Sequence, residues 1–282
     1  MHVGRMGHAN EGLDLLLSTN MKDATERARN ISKYNNDRQD YEKIIYNDSI
    51  KQIEEKKLES KNSIVIGGDG WHHGVVGIVA SKITDLYYKP CLLICFENED
   101  NIGKGSGRSI AGFDLHETLM KCKDLLDGFG GHSMAVGLTI KKENLEKLQK
   151  EFEKYAKEAD IEKLYPIINI DKVLNIDEIS KELIESLNLL EPLGEGNRMP
   201  IFAFRNLRID SIRALTDGKH LKLTLKSDKN TYINAIGFNL GYLSEQYIIG
   251  DRVDVAGSLE INSFNGVDSI QINIKDVMKT CQ

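Results

Sequence analysis

The chain has 282 residues, 40% of them hydrophobic and 28% charged, with a formal net charge of −6. That length permits two modest domains, each with its own buried core, and that balance excludes a disordered or collagen-like polymer. No apolar run approaches the roughly 20 residues of a membrane-spanning helix and the first residues carry no signal-peptide h-region, so a cytoplasmic protein with no membrane partner is expected.

Net negative charge argues against a protein that coats DNA indiscriminately, yet affinity for nucleic acid depends on local phosphate neutralisation rather than on total charge. The cysteines Cys91, Cys95, Cys122 and Cys281 show neither a disulfide nor a zinc framework. Cys91 and Cys95 flank Leu92-Leu93-Ile94 on one face of an expected strand, which reads as core packing.

In chain order, Ser18-Thr19-Asn20 offers cap residues for a helix that starts near Met21. Ala24, Ala28, Ile31, Tyr34, Tyr41 and Ile45 then recur at helical spacing, with no proline before Lys61. A helix over 21–57 would measure on the order of 55 Å. Its polar surface, above all 48–61, reads as an arm between two bodies, so 21–61 is the expected linker helix. Two shorter helices broken near Tyr34-Asn35-Asn36-Asp37 are the alternative.

From Ser63 the pattern alternates. Strands are expected at 63–67, 91–96, 103–110 and 133–141, and helices at 75–88, 115–126 and 143–159, the last amphipathic through Leu145, Leu148, Phe152 and Tyr155. Such alternation indicates an α/β domain with a mixed sheet over 62–160. After Pro166 a helix over 176–187 precedes strands at 201–215, 220–226 and 232–238. A helical segment near 242–247 follows, then strands at 251–261 and 268–274 joined across Asn265-Gly266. Three strands, a short helix and two strands is the order of an all-β OB-fold barrel, expected over 166–282, although other small barrels share it.

Three segments carry the chemistry. Phe129-Gly130-Gly131-His132-Ser133-Met134-Ala135-Val136-Gly137 reads as a sharp bend where glycines let backbone N–H groups approach an anion and a histidine donates to it. Gly103-Lys104-Gly105-Ser106-Gly107-Arg108-Ser109 is glycine-rich with two cations and two hydroxyls; Arg108 supplies a planar fork matched to phosphate, and Ser106 and Ser109 can donate hydroxyl hydrogen bonds. Asp69-Gly70-Trp71-His72-His73-Gly74-Val75-Val76-Gly77 lies between a strand and a helix. There Trp71 either stacks on a base or seals the turn, and His72 with His73 lacks the further ligands of a zinc site. Between Arg205 and Lys226, six cations stand against Asp210 and Asp217. This is a solvated face or a phosphate track through Arg205, Arg208 and Lys222. Phe202, Phe204, Tyr232 and Phe264 are candidates for stacking or for the barrel core.

These segments, in this order, resemble the DHH-associated domain of the RecJ single-strand-specific exonucleases. Gly4-Arg5-Met6-Gly7-His8-Ala9 is similar to the motif that closes that family's catalytic DHH domain, which makes 1–20 the expected remnant of that domain. Leu190-Glu191-Pro192-Leu193-Gly194-Glu195-Gly196-Asn197 resembles the entry to the family's OB domain, so the resemblance covers nearly the whole chain. It implies a 5′-to-3′ single-stranded-DNA exonuclease of DNA repair and recombination, in which a DHH domain holds two divalent ions, Mn²⁺ or Mg²⁺. The Asp-His-His triplet that names the superfamily occurs nowhere in this sequence. The chain is therefore expected to be the substrate-binding C-terminal portion of a longer protein, whether a fragment or a natural truncation, holding no metal itself and inactive alone.

By the same resemblance, Arg108, His132 and Arg5 hold the substrate phosphodiester, and Trp71, His72, Lys104, Ser106, Ser109, Gly130 and Gly131 complete the contact. Single-stranded DNA is the implied partner, with a single-strand-binding protein and a helicase as companions. Structural readings stand beside these: Arg108 pairs with Asp114 or Glu117, and Arg5 satisfies carbonyls at a domain junction. Two other functions fit the residues. One is an oligonucleotide or cyclic-dinucleotide phosphodiesterase of the same superfamily, whose members generally lack the barrel; the other is a noncatalytic nucleic-acid-binding module made natively without the DHH domain.

Overall fold

The computed structural model describes residues 3–96, 101–194, 196–264 and 266–280. Asn265 of the expected turn, Glu195 of the OB-entry motif, Cys281 and the side chain of Phe264 lie outside the described residues. The chain divides into two compact units, Met1–Pro166 and Ile167–Gln282.

The first unit opens with α1 (Val3–Met6) and α2 (Ala9–Leu16), followed by the 35-residue α3 (Met21–Glu55). Asn20 starts α3, its side-chain oxygen accepting from Lys22 N at 2.8 Å. The helix runs unbroken through Tyr34-Asn35-Asn36-Asp37, so the two-helix alternative does not hold. Its second half also departs from the picture of a free arm. Ile45, Ser49 and Ile53 recur at i, i+4 and i+8 and are fully buried. Gln52 Nε2 donates to Gly67 O at 3.2 Å, which ties this half to the first strand. The charged residues around that narrow stripe outnumber it, so composition alone reads as a solvated helix.

A five-stranded mixed sheet follows, made of β1 (Ile64–Asp69), β2 (Cys91–Phe96), β3 (Ile102–Arg108), β4 (Gly128–His132) and β5 (Ala135–Lys141), in the order β1-β2-β3-β5-β4. Only β1 and β2 are parallel, joined by α4 (His73–Tyr87); the other pairs are antiparallel. Alternation splits β2 between two cores. Cys91, Leu93 and Cys95 pack with α3 and α4, whereas Leu92, Ile94 and Phe96 pack with α5 (Leu115–Lys121) and α6 (Leu145–Glu158). The bend expected at Phe129-Gly130-Gly131-His132 is instead the strand β4, and Ser133-Met134 make the turn into β5.

The second unit contains β6 (Lys172–Val173), α7 (Lys181–Asn188), β7 (Phe202–Leu215), β8 (His220–Lys226), β9 (Tyr232–Gly237), β10 (Arg252–Phe264) and β11 (Val267–Lys279). The strands β7-β8-β9-β11-β10 close on themselves through β10–β7, with β9 and β11 parallel, as in an OB barrel. Its core includes Phe202, Phe204, Ile209, Leu221, Leu223, Leu225, Val253 and Ile272. The expected helix over 176–187 is divided, because Ser180 caps a new helix by accepting from Leu183 N at 3.3 Å. Among the described residues, no helix is long and apolar enough to cross a membrane.

Candidate nucleic-acid interface

The glycines of β3 are a packing device. Methyl groups at Gly103, Gly105 and Gly107 would fall 2.5–2.9 Å from Ile94, Phe96 and Leu92 side chains, so these positions yield their space to neighbours on one face of the sheet. The residues between them, Lys104, Ser106 and Arg108, are thereby turned to the opposite face.

Strand register extends that face into a grid. Directly opposed residues share a face, so one row is Arg108–Ala135–His132, the next Ser106–Gly137–Gly130 and the third Lys104–Thr139–Gly128. None of these nine positions is acidic. The glycine floor is open: methyl groups at Gly128 or Gly130 would meet nothing within 4 Å, and one at Gly137 would touch only Gly105 O at 4.0 Å. Gly131 is a different case. Its φ of +138° and the 2.3 Å separation between a would-be methyl and Ala135 O show that the hairpin itself requires glycine there.

Arg108 is held by hydroxyls and a carbonyl. Its Nε donates to Ser81 Oγ at 3.1 Å, and its Nη1 donates to Ser106 Oγ at 3.0 Å and to Gly107 O at 2.7 Å. It pairs with neither Asp114 nor Glu117: Asp114 caps α5 by accepting from Glu117 N, and Glu117 pairs with Lys121. Burial, and then the charge of Arg5, push the Arg108 guanidinium below its ordinary range. Arg5 is positioned by backbone contact, since a methyl at Gly74 would fall 2.1 Å from Arg5 O; its Nη1 donates to Gly74 O at 3.3 Å. That bond satisfies a carbonyl, as the structural reading of Arg5 expects, and it also holds a second guanidinium near Arg108. His132 is exposed and makes no side-chain hydrogen bond to a described residue.

Two of the other expected contacts, Trp71 and Ser109, turn inward. Trp71 is 3% exposed, packs in the α3–α4 core and donates from Nε1 to Asp48 Oδ2 at 2.9 Å, so it seals the turn and has no free ring face for a base. Ser109 is buried, and its hydroxyl donates to Phe113 O at 2.7 Å. His72 caps α4: its Nδ1 accepts from Gly74 N at 3.1 Å, which leaves Nε2–H as the donor of the neutral ring. Sequence reasoning missed Ser81, whose role depends on α4 crossing β3, and Gly137, whose open floor only the register reveals.

On the barrel, the outer face of β7, β8 and β9 forms similar rows: Arg208–Lys226–Tyr232, Ser211–Thr224–Asn234 and Arg213–Lys222–Ile236. Arg208 and Lys222 are thus neighbours of Arg213 and Lys226, which the alternation of Leu221, Leu223 and Leu225 with polar residues could have singled out. Arg205 lies apart from them, beside a cleft lined by Asp177 and Asp228. Phe202 and Phe204 are buried in the core and unavailable for stacking, whereas Tyr232 is 52% exposed.

Among the described residues, no group of three or more His, Cys, Asp or Glu stands together to hold a metal ion. The side chains of the sheet face are guanidinium, ammonium, hydroxyl and imidazole. That set suits an oxyanion and does not fit a divalent cation.

Two family models match the chain, the DHHA1 domain over residues 60–158 and the RecJ OB domain over 170–276. The chain is a DHHA1–OB pair of the RecJ family. The RecJ exonuclease of Bacillus subtilis is 35% identical to it over 276 residues, 97% of this chain and 35% of that protein. RecJ of Haemophilus influenzae is 31% identical over 96% of this chain and 48% of its own length. The chain therefore spans about a third to a half of the curated RecJ proteins it matches. Crystal structures of Thermus thermophilus RecJ with Mn²⁺ and with Mg²⁺ superpose on all of this chain with TM-scores of 0.80 and 0.79, at 27% and 26% identity, covering 40% and 42% of those chains.

Proposed function

We propose that this chain is the substrate-holding part of a RecJ-type exonuclease: the DHHA1 face clamps the phosphate backbone of single-stranded DNA, and the OB barrel carries the rest of the strand. One observation carries the reading. Arg108, Ser106, Lys104 and His132 surround an open glycine floor with no acid among its nine positions, and Arg5 adds a second guanidinium beside Arg108. Two cations without a carboxylate partner repel each other until an anion arrives, and a planar fork with flanking hydroxyls matches phosphate oxygens. The relatives named above are single-strand-specific exonucleases, and the RecJ OB model favours this reading over a smaller phosphodiesterase of the superfamily.

The chain's own contribution is positioning. Fixing a phosphodiester at a rigid sheet face lowers the entropic cost of attack at that bond. Mn²⁺ or Mg²⁺ in the complete enzyme would be held by residues other than those of this face. A DNA substrate supports a cytoplasmic location for the protein.

A labelled single-stranded oligonucleotide, titrated with the chain by anisotropy and then incubated with Mn²⁺ with and without a chelator, tests this. Salt-sensitive binding of the single strand over a duplex, without chelator-sensitive shortening, is the expected result. Equal affinity for both forms would overturn the strand-holding role, and chelator-sensitive cleavage would show a metal site within these residues.

A further inference from the structure

We infer that Tyr232, backed by Lys226, is a base-stacking step on the barrel that supplies affinity independent of salt; the inference rests on the strand-holding reading above. Tyr232 is half exposed on β9 although every aromatic of the barrel core is covered, and Lys226 Nζ stands 4.9 Å from its ring centroid. The ammonium occupies one face of the ring. The other face has no aromatic or cationic partner among the described residues, and an aromatic surface beside a cation is what an unpaired base stacks on.

The surroundings match a strand rather than a protein partner. Across the three strands runs a ladder of neutral polar groups, with Ser211 Oγ donating to Thr224 Oγ1 at 2.9 Å and Thr224 Oγ1 to Asn234 Oδ1 at 3.3 Å. The row on one side carries Arg208 and Lys226, and the row on the other carries Arg213 and Lys222. None of these four cations forms an ion pair with a described residue. The row of the ladder continues through Gln271 of β11 to Glu260 of β10, whose carboxylate accepts from Gln271 Nε2 at 2.6 Å and Asn273 Nδ2 at 3.1 Å. Two cationic rows flank the neutral strip, and Tyr232 ends the row of Arg208 and Lys226, so a base stacked on its ring has phosphate contacts beside it.

Stacking and phosphate contact differ in their salt dependence, which separates the roles of the two residues. In the full chain, Tyr232→Ala should weaken binding of a long mixed-sequence single strand about 5- to 150-fold at every salt concentration, leaving the slope of log K against log salt unchanged. Tyr232→Phe should bind as the unaltered chain does. Lys226→Gln should instead reduce the slope by about one. An iodouracil-containing strand should crosslink to Tyr232, and unchanged thermal unfolding of Tyr232→Ala would exclude a folding defect. If Tyr232→Ala bound normally while Arg108→Ala bound poorly, the stacking step would be wrong and the phosphate clamp would stand. Failure of the unaltered chain to bind any single strand overturns both.

Discussion

Arg108 and His132 sit in the same row of the sheet, on β3 and β4, with only Ala135 of β5 between them. Two strand spacings separate their backbones by about 10 Å. They are 24 positions apart in sequence, and a helix and a 3₁₀ turn intervene, yet both project from one face. A group bound between them would lie over the Ala135 methyl and beside the glycine row, where both side chains can act on one phosphate.

That geometry gives the glycines opposite signatures. Gly130→Ala and Gly137→Ala meet open space and an unremarkable backbone, so their unfolding midpoints should stay level or rise slightly. Their affinity for single-stranded DNA should fall, because a methyl fills the floor. Gly131→Ala should cost about 1–3 kcal/mol of stability, since an L side chain is strained at its φ and collides with Ala135 O. Denaturant titrations beside binding curves decide the point; a stable Gly131→Ala, or Gly130→Ala with full affinity, would contradict it.

Trp71 makes the second test simple, because it is the chain's only tryptophan. Buried, with Nε1–H committed to Asp48, it should emit at short wavelength and should not be quenched when single-stranded DNA is added. Trp71→Ala should destabilise by about 3–5 kcal/mol through the cavity it leaves. DNA-dependent quenching of the native emission would return Trp71 to the binding surface.

The order of elements was legible in the sequence because alternation and helical spacing report burial directly: β2, β8 and α6 fall where their apolar patterns place them. The glycine-rich β3 is a strand as expected, its glycines making room for Ile94, Phe96 and Leu92, whereas β4 was misread because a Gly-Gly pair that suggests a bend there extends a strand. The packed half of α3 was hidden for a related reason, since its stripe is three residues wide and surrounded by charge. Of the site, Arg108, Ser106, Lys104 and His132 could be named from motifs, but the functional split between Trp71 and Ser109, turned inward, and Gly137, turned outward, depends on register that no local pattern encodes.

Glu42 offers a test by pH. Burial pushes its carboxyl up, and Lys82 together with Arg38 outweighs burial, so the group lies below the ordinary carboxylate range. A depressed folded pKa contributes stability that is present above the unfolded value of about 4.3 and is lost as pH falls through the folded one. Glu42→Gln should therefore be less stable than the unaltered chain at neutral pH, where it leaves the buried Arg38 unpaired, and the gap should close toward pH 3. Urea midpoints at the two pH values measure it; a gap that does not change with pH would show that the pair contributes nothing through charge.

For Arg108 the sign is reversed. A guanidinium whose folded pKa lies below its unfolded value costs stability wherever it remains protonated, which for arginine is the whole accessible range. An anion bound beside it relieves both contributions, because it replaces lost hydration with hydrogen bonds and offsets the charge of Arg5. Inorganic phosphate at constant ionic strength should therefore raise the melting temperature of the unaltered chain by a few degrees once its concentration passes about ten times Kd. In Arg108→Gln the rise should largely vanish, while chloride should affect both proteins alike. Equal stabilisation of the two by phosphate would mean that the anion binds elsewhere, and the row shared by Arg108 and His132 would lose its claim to the backbone of the strand.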